Sequence, residues 1–348
     1  MAEEIVEGLS LDDLLSIEDQ SGNFSYPETV PHRVLHIDGD FVAYMASFDE
    51  TITFQMMCHN TDVMLETLRL LAGAESICVH LTPHDSDKGK RYELAVLKEY
   101  QGNREGKVKP QNLERIRLYM ANAHKAILHY DQEADDGLAQ ANYNAIKAGH
   151  RDLSVIVSKD KDLMIVPGLH LDWDTSKLFD VNTFGDIELK GSKVKGTGEK
   201  FFWCQMLMGD TADNIPGLPK ISGKDMHKIK PNQKYNKLLE TIAKYPNTEK
   251  AAKAQKEYDS RPPYNCGAST TYAIMKEVKS AKEAYKIVRQ LYINYFEQEE
   301  VIGLNGNPLK WYELFISNGR LLWMRRDKDY DDFIKYVKEI IQDAESKA

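Results

Sequence analysis

The chain has 348 residues, 42% hydrophobic and 28% charged, with a formal net charge of −9, enough apolar material for one large core or a core plus a smaller helical module. No stretch approaches the roughly 18 apolar residues of a membrane span, and the N-terminus lacks the basic and apolar regions of a signal peptide, which points to a cytoplasmic protein with no membrane partner. Its four cysteines, Cys58, Cys78, Cys204 and Cys266, show no C-x-x-C spacing, so neither a zinc site nor a disulfide framework is implied.

In chain order, residues 1–30 carry eight acids and no Lys or Arg, so the acidity is concentrated there. This segment reads as a disordered extension, with a short amphipathic helix for a protein partner around Leu9 to Ile17 as the alternative. The folded part starts with a strand from Val34 to Ile37 that ends at Asp38-Gly39-Asp40. A helix follows over 61–73, then an apolar strand from Ser76 to Leu81, then a polar, basic loop or helical insertion over 82–112. Residues 113–128 and 133–148 read as helices, the second closed by Gly149, and Leu153 to Val157 as a buried strand.

Strands alternating with helices predict an α/β protein with a mostly parallel central sheet flanked by helices. In such sheets ligands bind beyond the carboxyl ends of the strands, where Asp38 and the Asp160/Asp162 pair both fall. From residue 200 the chain reads as mainly helical and Lys-rich. Trp311 to Ile316 and Leu321 to Arg325 flank Ser317-Asn318-Gly319-Arg320, which predicts a hairpin with a type I′ turn, and a final helix is expected over 329–345. The expected organisation is an extension over 1–30, an α/β core over 31–199, a helical region over 200–300, and a hairpin with a helix over 301–348.

Acidic residues gather at the edges of these elements: Asp38; Glu133, Asp135 and Asp136; Asp160 and Asp162; Asp210 and Asp213. Carboxylates held together resist ionisation unless cations sit between them, and all-oxygen ligation suits Mg²⁺ or Mn²⁺. Taken singly, two groups have plainer readings, as an acidic first turn of a helix and a polar turn after a strand. Ten basic against four acidic residues over 88–125, and nine against four over 190–234, offer contacts for a polyanion, the plainer reading being solvated helix faces. His80 and His84, separated by Pro83, read as core or surface residues, and Phe201-Phe202-Trp203 with Met206 and Met208 as core packing. No G-x-x-x-x-G-K-[ST] occurs, which disfavours an NTPase.

The segment Gly209-Asp210-Thr211-Ala212-Asp213-Asn214-Ile215-Pro216-Gly217-Leu218 resembles the helix, three-turn, helix element of the 5′-nuclease family, the flap endonucleases and 5′ to 3′ exonucleases of phages and bacteria, and with no polymerase attached in 348 residues a stand-alone, phage-type member is expected. Four more segments match in order. Val34 to Gly39 is similar to the first strand and its aspartate, Glu133-Ala-Asp135-Asp136 to E-x-D-D, and Ser158-Lys159-Asp160-Lys161-Asp162 to S-x-D-x-D. Tyr100-Gln101-Gly102-Asn103-Arg104 resembles the Y-K-G-N-R signature of the helical arch, with Asp87-Lys88-Gly89-Lys90-Arg91 before it. The resemblance covers about 31–230.

It implies a nuclease core over 31–199 with a helical arch at about 85–125, and a DNA-binding helix, three-turn, helix module at about 200–230. One metal would be held by Asp38, Glu133, Asp135, Asp136 and Asp87, with Asp85 as competitor for the last place. A second would be held by Asp136, Asp160, Asp162, Asp210 and Asp213, two cations roughly 4 Å apart being able to activate water for phosphodiester hydrolysis. Lys88, Arg91 and Arg104 are the implied catalytic cations. Lys90, Tyr100, Lys107, Lys109, Gly217, Lys220, Ser222 and Lys224 are the implied DNA contacts, with K⁺ as a candidate ion at the three-turn element.

Gln101 stands where the family has a lysine, leaving Lys98 or Lys107 as substitutes, and Lys220 and Ser222 stand where glycines are common. The implied function is a structure-selective 5′ nuclease acting on DNA with 5′ ends, flaps or nicks in DNA replication. The alternatives are a noncatalytic flap or junction binder of the same fold and a PIN-type ribonuclease.

Overall fold

The computed structural model describes residues 26–342 apart from 105, 107 and 330. Lys107, the Leu9 to Ile17 segment and the end of the last helix therefore lie outside the described residues. The described residues form eight strands: β1 (Val30–Asp38), β2 (Ala74–Leu81), β3 (Ile127–Leu128), β4 (Ser154–Val157), β5 (Gly168–Leu171), β6 (Leu178–Val181), β7 (Ile187–Lys190) and β8 (Lys193–Gly196). The first helices are α1 (Gly39–Ser47), α2 (Phe54–Leu71), the single turn α3 (Arg91–Leu94), α4 (Leu113–Ala123), α5 (Ala134–Lys147) and α6 (Gly198–Met208). They are followed by α7 (Gly223–Ile229), α8 (Gln233–Lys244), α9 (Glu249–Asp259), α10 (Ala268–Met275), α11 (Ala281–Phe296), α12 (Trp311–Leu322) and α13 (Asp332–Gln342). Among the described residues no helix is long and apolar enough to cross a membrane.

The protein is α/β. Its main sheet has the order β3-β2-β1-β4-β5-β6, parallel throughout except for the antiparallel edge strand β6. The chain builds outward from β1 in one direction through β2 and β3, then returns to the other side of β1 with β4, so β1 and β4 flank a topological switch point. Alternation along the strands divides the interior into two cores. Leu35, Ile37, Val79, Leu81, Val155 and Val157 face α1, α2 and α4. Ile156 faces α5, whose Leu138 and Ala139 continue into a second core around α6. Helix α6 is buried on every side, with Phe201, Phe202, Trp203 and Met206 in the core beside the polar Lys200 and Gln205, and α10, α11 and α12 surround it.

The expected strands and helices of the first half are present with boundaries shifted by a few residues, but helix α1 was not anticipated and the helix expected over 113–128 ends at Ala123, leaving Ile127–Leu128 to pair with β2 as β3. Among the described residues of 85–125, helix is confined to α3, α4 and two single 3₁₀ turns at Lys88–Lys90 and Gly102–Arg104. Strand β5, the edge strand β6 and the β7–β8 hairpin were not anticipated.

One expectation is reversed. Trp311 to Arg325 is no hairpin, because Trp311–Leu322 forms helix α12. The Asn-Gly pair serves packing instead: the Asn318 Nδ2 donates to the Gly217 carbonyl at 2.8 Å and the Tyr292 hydroxyl at 2.9 Å. A Cβ on Gly319 would stand 2.1 Å from the Phe333 ring, so only glycine lets α13 approach this closely. The local turn signal loses to a helical repeat of buried residues, Leu314, Phe315, Asn318, Leu321 and Leu322.

Candidate active site

The carboxyl ends of β1, β2 and β4 meet the start of α5 at one cleft of about 1330 Å³. Asp38 ends β1 and caps α1, its Oδ1 accepting the Phe41 N–H at 3.0 Å. Ser158, just beyond β4, donates its hydroxyl to Asp38 Oδ2 at 2.7 Å. Thr82, just beyond β2, gives its N–H to Asp40 at 3.1 Å, while its hydroxyl oxygen accepts the Ala134 N–H at 2.9 Å. Asp160 caps the 3₁₀ turn Lys161–Ile165 by accepting the Asp162 N–H at 2.8 Å. These short polar links join three strand ends to one helix start, and they leave Asp38, Asp40, Glu133, Asp135, Asp160, Asp162 and Asp213 lining the cleft.

Crowding shows in the titration of these acids. Burial, reinforced by Asp40, lifts the Asp38 carboxyl to about 6. Burial also raises Asp40, opposed by the Arg117 guanidinium 2.9 Å away. Asp135 is pushed well above the usual carboxylate range by burial and then by Asp38, Asp160 and Glu133. Its side chain has no hydrogen bond or ion pair among the described residues. A half-buried acid without a partner among the described residues, ringed by other acids, is a donor set suited to a hard divalent cation, and every donor here is oxygen. The residues fit Mg²⁺ or Mn²⁺.

A second group joins it. Carboxylate oxygens of Asp162, Asp210 and Asp213 lie within 4.8 Å of one another. The Lys161 ammonium bridges the first two, 2.7 Å from Asp162 and 2.5 Å from Asp210. Burial and Asp160 raise Asp162 well above its ordinary range, whereas at Asp210 burial is outweighed by hydrogen bonds and the Lys161 charge, and its carboxyl is lowered.

Several residues stand elsewhere than the resemblance implied. Asp136, the implied shared ligand, points into the core, where its two oxygens take a bidentate pair from Arg91 at 2.7 and 2.9 Å and the Arg325 N–H at 3.2 Å. Although burial works to raise it, Arg91 holds its carboxyl below the ordinary range. Arg91 is 1% exposed and also lies 3.2 Å from Glu133, so it braces the acids rather than facing a phosphate. Asp87 accepts the Gly89 N–H and is exposed outside the cleft, as is Asp85; Asp40 supplies the carboxylate beside Asp38 instead. The sequence signal for Asp40 was its place in Asp38-Gly39-Asp40, two residues past a ligand candidate at the same strand end.

Of the implied cations, Lys88 lines the cleft, its Nζ 2.8 Å from Gln101 Oε1 and 3.7 Å from Glu133. It thus brings an ammonium beside Gln101; Lys98 does not line the cleft. Arg104 lines it and pairs with Asp213, and Lys109 lines it. Lys159, Lys161 and Arg117 join them, unpredicted.

Tyr100 is 3% exposed, its hydroxyl donating to Glu133 at 3.0 Å and Asp213 at 3.3 Å, so its ring is not offered to a base. Tyr92 and Tyr44, 54% and 42% exposed, line the cleft instead. The 99–104 segment is pinned to the 211–214 loop: Gln101 N–H donates to the Asp213 carbonyl at 2.9 Å, Asn103 Nδ2 to Thr211 O at 2.7 Å, and Asn214 Nδ2 to Glu99 O at 2.9 Å.

In the turn after α6, Gly209 and Gly217 adopt φ of 71° and 63°, and a Cβ on Gly217 would lie 2.2 Å from Gly209 N. Ser222 is buried as the cap of α7, exchanging bonds with Asp225 at 2.7 and 3.1 Å. Lys220 is exposed, and Lys224 pairs with Asp259 at 3.3 Å. Lys90 is exposed outside the cleft.

No family model matches the chain, and no curated protein matches it. Among solved structures, it is similar to the bacteriophage T5 flap endonuclease in a pseudo-enzyme–product complex with DNA and metal ions, at 16% identity and a TM-score of 0.40, covering 90% of this chain and 99% of that one. A T5 5′-exonuclease with bound zinc is 16% identical, with a TM-score of 0.41 over 74% of this chain and 99% of the other.

Proposed function

We propose that this protein is a metal-dependent 5′ nuclease that hydrolyses DNA phosphodiesters at 5′ ends, flaps or nicks, as exonuclease, flap endonuclease or both. The observation that carries this reading is convergence. Acids from four separate segments, between Asp38 and Asp213, line one cleft, and Asp135 among them has no hydrogen bond or ion pair with the described residues. Asp38, Asp40, Glu133, Asp135 and Asp160 would hold one cation, and Asp162, Asp210 and Asp213 another. Bound there, Mg²⁺ or Mn²⁺ would supply an activated water and neutralise charge on the reacting phosphate.

The chain's own cations ring this acidic floor. Lys88, Arg104, Lys109 and Lys159 attract and orient the phosphates, with Lys88 serving where Gln101 does not. Tyr92 and Tyr44 offer exposed rings for unpaired bases. Arg91 and Tyr100 position Glu133. The turn held by Gly209 and Gly217, with Lys220 and Lys224 nearby, suits a duplex phosphate, K⁺ being the candidate ion there.

The test is a 5′-labelled flap and a nicked duplex, each incubated with Mg²⁺ or with chelator. Cleavage is expected only with Mg²⁺, and Asp135→Asn should slow it by at least about a hundredfold while the folded protein still binds DNA. A wild-type protein that binds DNA and never cuts it makes this a noncatalytic binder, and cleavage confined to RNA makes it a PIN-type ribonuclease.

A further inference from the structure

A second cluster of metal-ligating side chains lies on the α5-covered face of the sheet, apart from the carboxylate cleft. The β1–β2 register sets His36 directly opposite Cys78, and His80 lies two residues further along β2, so all three side chains share one face. A ligating atom from each, a ring nitrogen of His36 and His80 and the Cys78 sulfur, lies within 4.8 Å of the others. His36 Nδ1 and His80 Nε2 are only 3.0 Å apart. We propose that His36, Cys78 and His80 bind a divalent metal of zinc type, independently of any metal held by the carboxylates.

The donor set separates the two sites. Two imidazoles and a thiolate suit Zn²⁺, whereas the carboxylates suit Mg²⁺ or Mn²⁺. Tetrahedral zinc, with bonds of about 2.0–2.1 Å to nitrogen and 2.3 Å to sulfur, needs donors roughly 3.3–3.7 Å apart. The two imidazoles, 3.0 Å apart, must open by a few tenths of an ångström, and the thiol, within 4.8 Å of both, must close by at most about 1 Å. The Cys78 thiol gives up its proton to solvent on binding, and the half-exposed His36 and Cys78 leave a fourth position for water.

The surroundings are built to hold the ligand rings. His80 Nδ1 lies 2.9 Å from His129 Nε2, and His129 Nδ1 lies 3.1 Å from Gln132, which exchanges two hydrogen bonds with Gln140. Partners of this kind fix ligand orientation. Gly137 of α5 lies over the rings, where a Cβ would stand 2.3 Å from His129 and 2.9 Å from His80. The scattered cysteines hid this site from sequence reading, since its ligands come from two strands and only the register unites them.

The experiment uses the reduced full chain, stripped of metal and then supplied with excess Mg²⁺, titrated with Co²⁺ as a spectroscopic probe. A thiolate-to-cobalt charge-transfer band should appear and saturate at one equivalent. It should be absent in Cys78→Ser and Cys78→Ala, persist in Asp135→Asn, and need about 10–100-fold more Co²⁺ in His129→Phe. Zn²⁺ should displace the cobalt and raise the melting temperature of the wild type but not of either Cys78 variant. No band in the wild type, or a band that survives in whichever Cys78 variant folds, overturns the proposal. Neither result bears on the nuclease reading, which the Mg²⁺ assay tests separately.

Discussion

Asp38 concentrates the conflict between stability and the proposed chemistry in one residue. It caps α1 and accepts the Ser158 hydroxyl, yet burial and Asp40 lift its carboxyl from 3.8 to about 6. At about 1.4 kcal/mol per pKa unit, keeping it ionised near neutral pH costs the metal-free fold about 3 kcal/mol. Asn retains the capping oxygen and removes the charge. Asp38→Asn should therefore raise the melting temperature in chelator, read by calorimetry, while abolishing Mg²⁺-dependent cleavage; a lower melting temperature would mean that the hydrogen bonds outweigh the repulsion.

The same residue scale marks where sequence reasoning stopped. Asp135 and Asp136 are neighbours at the start of α5, about 100° apart around the helix axis, so one faces the cleft and the other the core. Which one does so depends on Arg91, which is 45 residues away in the chain.

At the scale of elements, the turn between α6 and α7 is the part most dependent on backbone conformation. Asp210 and Ile215 exchange two backbone hydrogen bonds, at 2.9 and 2.7 Å, closing a tight loop that presents Asp210 and Asp213. Gly217 closes it, at φ 63° against the backbone of Gly209, with Asn318 of α12 holding its carbonyl. Gly217→Ala should destabilise by at least about 2 kcal/mol, from backbone strain plus the clash. Urea unfolding measures this, and an unchanged midpoint would mean that the loop relaxes freely. The Gly/Pro punctuation made this turn legible in the sequence. The hairpin expected at Ser317 to Arg320 came from equally local chemistry and yielded to the burial of α12.

Over the whole molecule, the cleft acts as a proton store. Asp38, Asp40, Glu133, Asp135, Asp160 and Asp162 are all raised, first by burial, while only Asp136 and Asp210 among the clustered acids are lowered. A raised acid binds its proton more tightly folded than unfolded, so its contribution to stability falls as pH rises from the ordinary carboxylate range through the folded value. A divalent cation replaces those protons. The rise in melting temperature produced by Mn²⁺ should thus be large near pH 7.5, small near pH 5, and reduced in Asp135→Asn. A metal effect independent of pH would place the cation elsewhere.

The sequence alone determined the alternation of strands and helices, the acids at strand ends and helix starts, and the glycine-bound turn, because periodicity, capping and turn chemistry act over a few residues. Tertiary structure decided which acids face the cleft, that Asp40 joins them in place of Asp87, that Arg91 is buried and Lys88 is not, and that His36, Cys78 and His80 meet. Each of these depends on strand register and on partners distant in the chain, which set the burial and the charge of every side chain involved.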